Sequence, residues 1–307
     1  MKAPGAVIAL VGLVCLMAQV SSAKEDSWTI TVEPLEVFQG GVVEVRVSGE
    51  EVGGVKGRFR NQEIPFFRSE GGPYMALLGV DLEEQPGRLG ITIEGRTRSG
   101  TRKKQPITLR VKKKGFAREK ITVPAAFDHF DGATLQRIQK EGARIAQIWK
   151  ISSPQRWWKG RFIAPVPGKI TSPFGLHRVV NGLPRSRHGG VDLKAALGTS
   201  IVAANDGRVV LLDNLFFTGK SIVLDHGGGL YTMYFHLSKF LVDAHALVRK
   251  GDLMGLAGMT GRVTGPHLHW GVRLNGARID PMELLTVPEG GKQQVEARKQ
   301  NGEGERQ

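Results

Sequence analysis

Apolar and polar residues alternate along the first third of the chain. Trp28, Ile30 and Val32 share one parity, as do Val43, Val45 and Val47, then Leu89, Ile91 and Ile93, then Ile107, Leu109 and Val111. A period of two places one face of a strand in a core and the other in water. Gly40-Gly41, Gly53-Gly54, Gly71-Gly72-Pro73 and Pro86-Gly87 punctuate these runs and are expected to be turns. Residues 24–114 are therefore predicted to fold as a small β-sandwich.

The period changes at Asp131. Leu135, Ile138, Gly142, Ile145 and Ile148-Trp149 recur at helical spacing behind an aspartate suited to an N-cap. This predicts an amphipathic helix over 131–150, inside a linker spanning 115–159, with its apolar stripe packed on a flanking domain. Trp157-Trp158 reads as aromatic packing at a domain junction. Beyond residue 160 strands return, at Ile201-Val202-Ala203, Val209 to Leu212, Ser221 to Leu224 and Tyr231 to Tyr234, separated by Gly-rich turns. Residues 160–287 are predicted to form a second β-rich domain with little helix. From 288 to 307 the composition is polar and the tail is expected to be disordered. The fold class is mainly β, and the N-terminal sandwich resembles the immunoglobulin-like modules of secreted bacterial proteins.

Charge and the first residues narrow the setting. Lys2 precedes an apolar run from Ala6 to Ala18, followed by Ser21-Ser22-Ala23. The run is shorter than the roughly 20 residues of a membrane span, so 1–23 reads as a cleaved secretory signal. The expected location is the periplasm or cell envelope, with no stable membrane span in the mature chain. Cys15, the single cysteine, leaves with the signal, which excludes a disulfide or a cysteine metal site. Leu13-Val14 precede it where a lipoprotein signal requires a small residue. A net charge of +14 calls for an anionic partner. For an exported protein that partner is an envelope polymer and not nucleic acid. Residues 96–120 concentrate the charge, with eleven Lys or Arg against Glu119 alone. This stretch reads either as a solvated strand face or as an adhesive surface for anionic envelope polymers.

Seven of the eight histidines lie between His177 and His269. In His188-Gly189-Gly190-Val191-Asp192 the glycines disfavour a helix, so the spacing reflects a bend that returns two side chains to one site. In His267-Leu268-His269 a strand would point both rings to the same face. His236 closes a predicted strand. Three protein ligands with one open position is the recurring form of a catalytic zinc site. His188, Asp192 and one of His267 and His269 satisfy that count. The other histidine of the pair, with His236, is left for proton transfer and oxyanion support. His177, His226 and His245 fit no ligand position, and His129 falls in the linker.

These elements, in order Ser172-Pro173-Phe174-Gly175, Arg187 to Leu193, Tyr234-Phe235-His236-Leu237 and Gly265-Pro266-His267-Leu268-His269, resemble the M23 family of zinc metallopeptidases, the lysostaphin or LytM-type peptidoglycan endopeptidases. The resemblance covers about 160–287. It implies that His188, Asp192 and His269 bind one Zn²⁺ with a water in the fourth position. It implies that His236 and His267 are the catalytic histidines, and that the substrate is the peptide cross-link of bacterial peptidoglycan. Phe174-Gly175 and Asn181-Gly182 are expected to shape loops at the cleft. Some relatives have lost the site and activate amidases, so the alternative is a non-catalytic peptidoglycan-binding or amidase-regulating protein that retains zinc. This chain has kept every residue of the set.

Overall fold

The computed structural model describes residues 28–287 apart from 50–51, 61, 69–71, 98–99 and 123–129. The signal segment, His129 and the tail 288–307 lie outside the described residues. Within them the chain is built mainly of strands.

The N-terminal module holds β1 (Thr29–Glu33), β2 (Glu36–Phe38), β3 (Val42–Ser48), β4 (Val52–Phe59), β5 (Gln62–Ile64), β6 (Phe67–Arg68), β7 (Tyr74–Gly79), β8 (Gly87–Thr97) and β9 (Arg102–Lys112). They form two sheets, ordered β1-β3-β7-β6 and β2-β9-β8-β4-β5. Val43, Val45, Val47, Ala76 and Leu78 of the first pack against Phe59, Ile91, Ile93, Leu109 and Val111 of the second. The parities seen in the sequence thus enclose one sandwich core.

Two strands departed from the expected pattern. Gly53-Gly54, expected as a turn, lies within β4, where the register with β8 shifts between Gly53 and Lys56 and Gly54 takes φ +58°. A bulge absorbs the extra residue there, and a glycine tolerates the left-handed backbone it needs. In β7 the run Tyr-Met-Ala-Leu-Leu-Gly lacks alternation because both faces are buried. Ala76 and Leu78 enter the sandwich core, while Met75 and Leu77 join a second core with Leu82, Phe174, Ala277, Ile279 and Leu284.

That second core belongs to the C-terminal domain, so the two domains are fused through β7. Asp81 accepts hydrogen bonds from the Arg278 guanidinium at 2.8 Å and from the Arg278 backbone N–H at 2.8 Å. Lys114 Nζ meets Asp280 at 3.0 Å, and the Asp280 N–H donates to Gly40 O at 2.8 Å. A Cβ on Gly40 would stand 2.4 Å from the Phe174 ring, so the glycine lets the domains approach.

The rest of the chain carries β10 (Arg118–Ile121), α1 (Gly132–Ile148), β11 (Ile170–Ser172), β12 (His177–Val180), β13 (Leu183–Arg187), β14 (Gly190–Lys194), β15 (Ser200–Val202), β16 (Gly207–Leu215), β17 (Gly219–Gly227), β18 (Leu230–Phe240), β19 (Leu247–Val248), β20 (Leu253–Ala257), β21 (His267–Leu274), β22 (Ala277–Ile279) and the short α2 (Pro281–Leu284). The large sheet runs β11-β14-β21-β18-β17-β16-β19, with β15, β20 and β22 attached to it. Of segment 115–159, read as a linker, β10 and α1 are both seated on this domain. Its strand β10 pairs in parallel with β12, which pairs with β13 through a turn at Asn181-Gly182, both residues having positive φ.

Helix α1 begins where Asp131 accepts the Thr134 N–H at 2.7 Å. Its C-terminal half lays Ile145, Ile148 and Trp149 on Leu211, Leu215, Val223, Tyr231 and Met233. Leu135 points away and is 45% exposed, so the stripe is shorter than the spacing suggested. Trp158 packs with Phe162 in the C-terminal core, whereas Trp157 lies at its margin under Arg208.

Candidate active site

His188 precedes β14 and Asp192 stands in its middle. Strand β21 lies beside β14 and pairs His269 directly with Asp192. Strand β18 lies on the other side of β21 and carries His236 near its end. Three neighbouring strands thus bring together residues that the sequence spreads over more than eighty positions.

The donor atoms converge tightly. His188 Nε2 is 3.0 Å from His269 Nδ1 and 3.0 Å from Asp192 Oδ1, and His269 Nδ1 is 2.9 Å from the same oxygen. A tetrahedral zinc with bonds of about 2.0–2.1 Å holds its ligand atoms roughly 3.3 Å apart, so one ion fits all three. The donor set, two imidazoles and a carboxylate, also suits that metal. His188 Nδ1 faces the Pro173 carbonyl at 3.0 Å, which can only accept. The proton therefore sits on Nδ1, and the Nε2 lone pair is turned toward the cluster. His269 stacks on Phe235, with ring centroids 5.3 Å apart. Gly190 makes room for that ring: a Cβ there would stand 2.7 Å from His269 Nε2 and 2.4 Å from Trp270 O. This gives the Gly-Gly of the motif a second reason besides the bend.

Burial alone would raise the Asp192 carboxyl, but its hydrogen bonds with His188 and His269 outweigh that and hold it well below the usual carboxylate range. Burial lowers the His269 imidazole, opposed by its hydrogen bond to Asp192.

His236 and His267 form the adjoining pair, with ring centroids 4.9 Å apart. His236 Nδ1 donates to Thr260 O at 2.9 Å, and His267 Nδ1 donates to Gly265 O at 2.9 Å. Each ring therefore carries a proton on Nδ1 and turns Nε2 away from those carbonyls, and Nε2 of His267 lies 3.7 Å from Asp192 Oδ1. Burial pushes the His236 pKa down to about 4, so the ring is neutral at pH 7. His236 breaks the regular strand, with φ +66° and its N–H bonded to Thr218 O at 2.9 Å. This unusual backbone had no signal in the sequence.

The other histidines separate from this group. His177 lies on β12 and His245 on the surface. His226 is fully buried: Nδ1 donates to Asp206 O at 2.7 Å, while Nε2 faces Thr232 Oγ at 2.7 Å, which in turn meets the Tyr234 hydroxyl at 2.9 Å. Phe174 is not a cleft residue but a buried contact between domains, against Gly40 and Phe116. Arg178 escaped the sequence reading altogether. It donates to Ser172 Oγ at 3.0 Å and to Glu119 of β10 at 3.1 Å, and lies 4.0 Å from Asp192. Phe130, Phe216 and Phe217 cluster beneath Arg262, next to Thr218, whose carbonyl accepts the His236 N–H.

The profile of Peptidase family M23 matches residues 186–281. A crystal structure from Pseudomonas aeruginosa assigned to peptidase M23 is 31% identical, with a TM-score of 0.64 over 81% of this chain and 94% of that one. The chain belongs to peptidase family M23. The alignment with this M23 structure extends well beyond 160–287, so it includes residues outside the C-terminal domain. Peptidoglycan DD-endopeptidase ShyA of Vibrio cholerae is 39% identical over 161 residues, 52% of this chain and 34% of that protein. DD-carboxypeptidase/endopeptidase Mpg of Neisseria meningitidis is 37% identical over 124 residues, 39% of this chain and 28% of its own length. This M23 chain thus matches about a third of the length of these curated relatives.

Proposed function

We propose that this protein is an exported zinc metalloendopeptidase that hydrolyses peptide cross-links of bacterial peptidoglycan. The observation that carries this reading is the adjacency of two histidine sets. His188, Asp192 and His269 offer three converging donors, and His236 and His267 stand beside them, each ring fixed through Nδ1 by a backbone carbonyl. A structural zinc would have no use for the second set.

His188 Nε2, Asp192 and His269 Nδ1 hold the ion. When bound, zinc supplies Lewis acidity and lowers the pKa of a water to about 7. His236, neutral at pH 7, accepts a proton at Nε2 as the peptide bond is attacked, and the Thr260 carbonyl holds its ring in that tautomer. The leaving amine receives that proton back from His236, while His267, oriented by Gly265 O, stands on the same side to support the oxyanion. Asp192, kept ionised, steadies the positive charge that develops on the imidazoles.

Peptidoglycan as substrate is supported by the similarity to the V. cholerae peptidoglycan DD-endopeptidase ShyA. Export rests on residues 1–23. No helix among the described residues is long and apolar enough to cross a membrane. The test is to incubate the zinc-loaded and chelated protein with purified peptidoglycan and analyse the released muropeptides by mass spectrometry. Cross-linked dimers should become monomers only with zinc. Dimers left intact in both samples would favour the regulatory alternative.

A further inference from the structure

The basic stretch 96–120 does not act as one unit in the fold. Lys114 turns toward Asp280, and Arg118 and Lys120 lie on β10 beside β12. Most cations of β8 and β9 instead join others from β4 on a single outer face, Lys103 and Lys112 having the opposite parity. Along β9, Arg102, Lys104 and Arg110 are exposed, alternating with buried Leu109 and Val111 further along the strand. Arg88 and Arg96 of β8 and Lys56 and Arg58 of β4 have the same parity.

The register makes this costly. Arg88 lies directly opposite Arg110, and Arg96 directly opposite Arg102. Like charges at opposed positions destabilise a sheet. Lysines and arginines often protect free edges from aggregation, but β8 and β9 are interior strands, flanked by β2 on one side and β4 and β5 on the other. Glu94 and Glu63 compensate Lys104 and Lys56, and Glu36 meets Arg110. Arg58, Arg88, Arg96 and Arg102 have no carboxylate partner among the described residues. At about 3.4 Å per residue, the two arginine pairs are roughly 27 Å apart along β9. Gly90, Thr92, Pro106 and Thr108 lie between them beside the mutually paired Glu94 and Lys104, so the charge is drawn out along a strip that suits an extended chain better than a small anion.

The placement is equally informative. Sheet β1-β3-β7-β6 packs on the C-terminal domain through β7, and the arginine-bearing sheet is stacked on its far side. We propose that this face is a docking platform for peptidoglycan, binding the free carboxylates of its stem peptides and retaining the enzyme on the network while the active site stays open. The partner's identity rests on the function proposed above. A ligand held here does not reach the histidines, so binding and hydrolysis are separable.

The test measures retention of the full-length protein on purified peptidoglycan sacculi by co-sedimentation, in a His236→Ala background that stops digestion. Neutralising these four arginines, as Arg58→Gln, Arg88→Gln, Arg96→Gln and Arg102→Gln together, should weaken retention about tenfold, the loss of roughly four weak exposed ion pairs. Retention should also become less sensitive to salt. Wild-type retention should fall similarly on sacculi whose carboxylates have been amidated. Because repulsion is relieved, the thermal midpoint should hold or rise. If the quadruple variant melts early, Arg96→Gln with Arg102→Gln serves instead.

A matched neutralisation of Lys140, Lys159, Lys169 and Arg249 should leave retention intact. In the active background, the platform variant should cut a small soluble cross-linked muropeptide at the normal rate. Unchanged retention by the platform variant, unchanged retention on amidated sacculi, or an equal loss in the matched control would each overturn the platform. Failure of the wild type to cut the soluble muropeptide would instead count against the endopeptidase reading.

Discussion

The His236 imidazole donates its Nδ1 proton to the carbonyl of Thr260 at 2.9 Å. That bond aims the bare Nε2 toward His267 and the candidate metal ligands, and burial keeps it unprotonated at pH 7. His236→Ala should lower turnover of cross-linked muropeptides by about 10²–10⁴. Zinc content, measured by mass spectrometry of the metal, should stay at the wild-type level. Loss of metal along with activity would show that His236 is a ligand.

Chelation should abolish hydrolysis, and zinc should restore it. Because the donors are assembled only in the folded state, zinc should also raise the thermal midpoint, with a stabilisation of about 2.7 kcal/mol at a hundredfold excess over Kd. Asp192→Asn should remove most of that zinc-dependent shift while leaving the apo protein folded. A shift that survives the substitution would place the ion elsewhere.

Gly190→Ala tests the packing behind the ligands. Its Cβ would meet a backbone oxygen at 2.4 Å and the His269 ring at 2.7 Å. The ring must move, so zinc affinity should drop by roughly 10- to 100-fold, as for other losses of ligand support. Zinc titration against a competing chelator measures this directly. Unaltered affinity would mean that β14 shifts without disturbing His269.

The buried His226 makes stability depend on pH. Its pKa is held at about 4, against about 6.5 when unfolded, because burial penalises the charged ring. Above pH 6.5 both states are neutral and its contribution is complete. As pH falls from 6.5 to 4 the unfolded chain takes the proton first, and stability declines by on the order of 3 kcal/mol. Urea unfolding at pH 7 and pH 4.5 should show this decline, and His226→Gln should flatten it. An equal decline in the variant would assign it to other groups.

Leu82, fully buried in the core shared by the domains, offers a test of their fusion. Leu82→Ala should cost about 2–5 kcal/mol, and the chain should still unfold in one transition. A fragment of residues 151–307 would expose Phe174, Ile279 and Leu284 and lose β10, so it should aggregate or melt well below the full chain. Two separate calorimetric transitions in the intact protein would contradict a shared core.

Local chemistry made the sandwich, the cap at Asp131 and the histidine set readable. Alternation marks half-buried strands such as β3 and β9, and an aspartate that accepts the Thr134 N–H marks a helix start. Where two layers bury one strand, the marker disappears, which is why Met75 to Leu78 gave no period. Strand β10 was equally silent: its pairing with β12 joins Arg118 to His177 across a span that includes α1 and β11, and no short-range pattern encodes such a contact. For the same reason Arg178 went unnoticed, since its role depends on Glu119 and Ser172, which lie near it only in the fold.

Strand β21 reaches the centre of the large sheet late in the chain, slipping between β14 and β18. It brings His267 and His269, without which only two of the three candidate ligands, His188 and Asp192, are in hand. As the polypeptide is synthesised, everything before residue 267 can be present and the candidate donor set is still incomplete. The proposed chemistry therefore cannot begin until β21 has taken its place between β14 and β18.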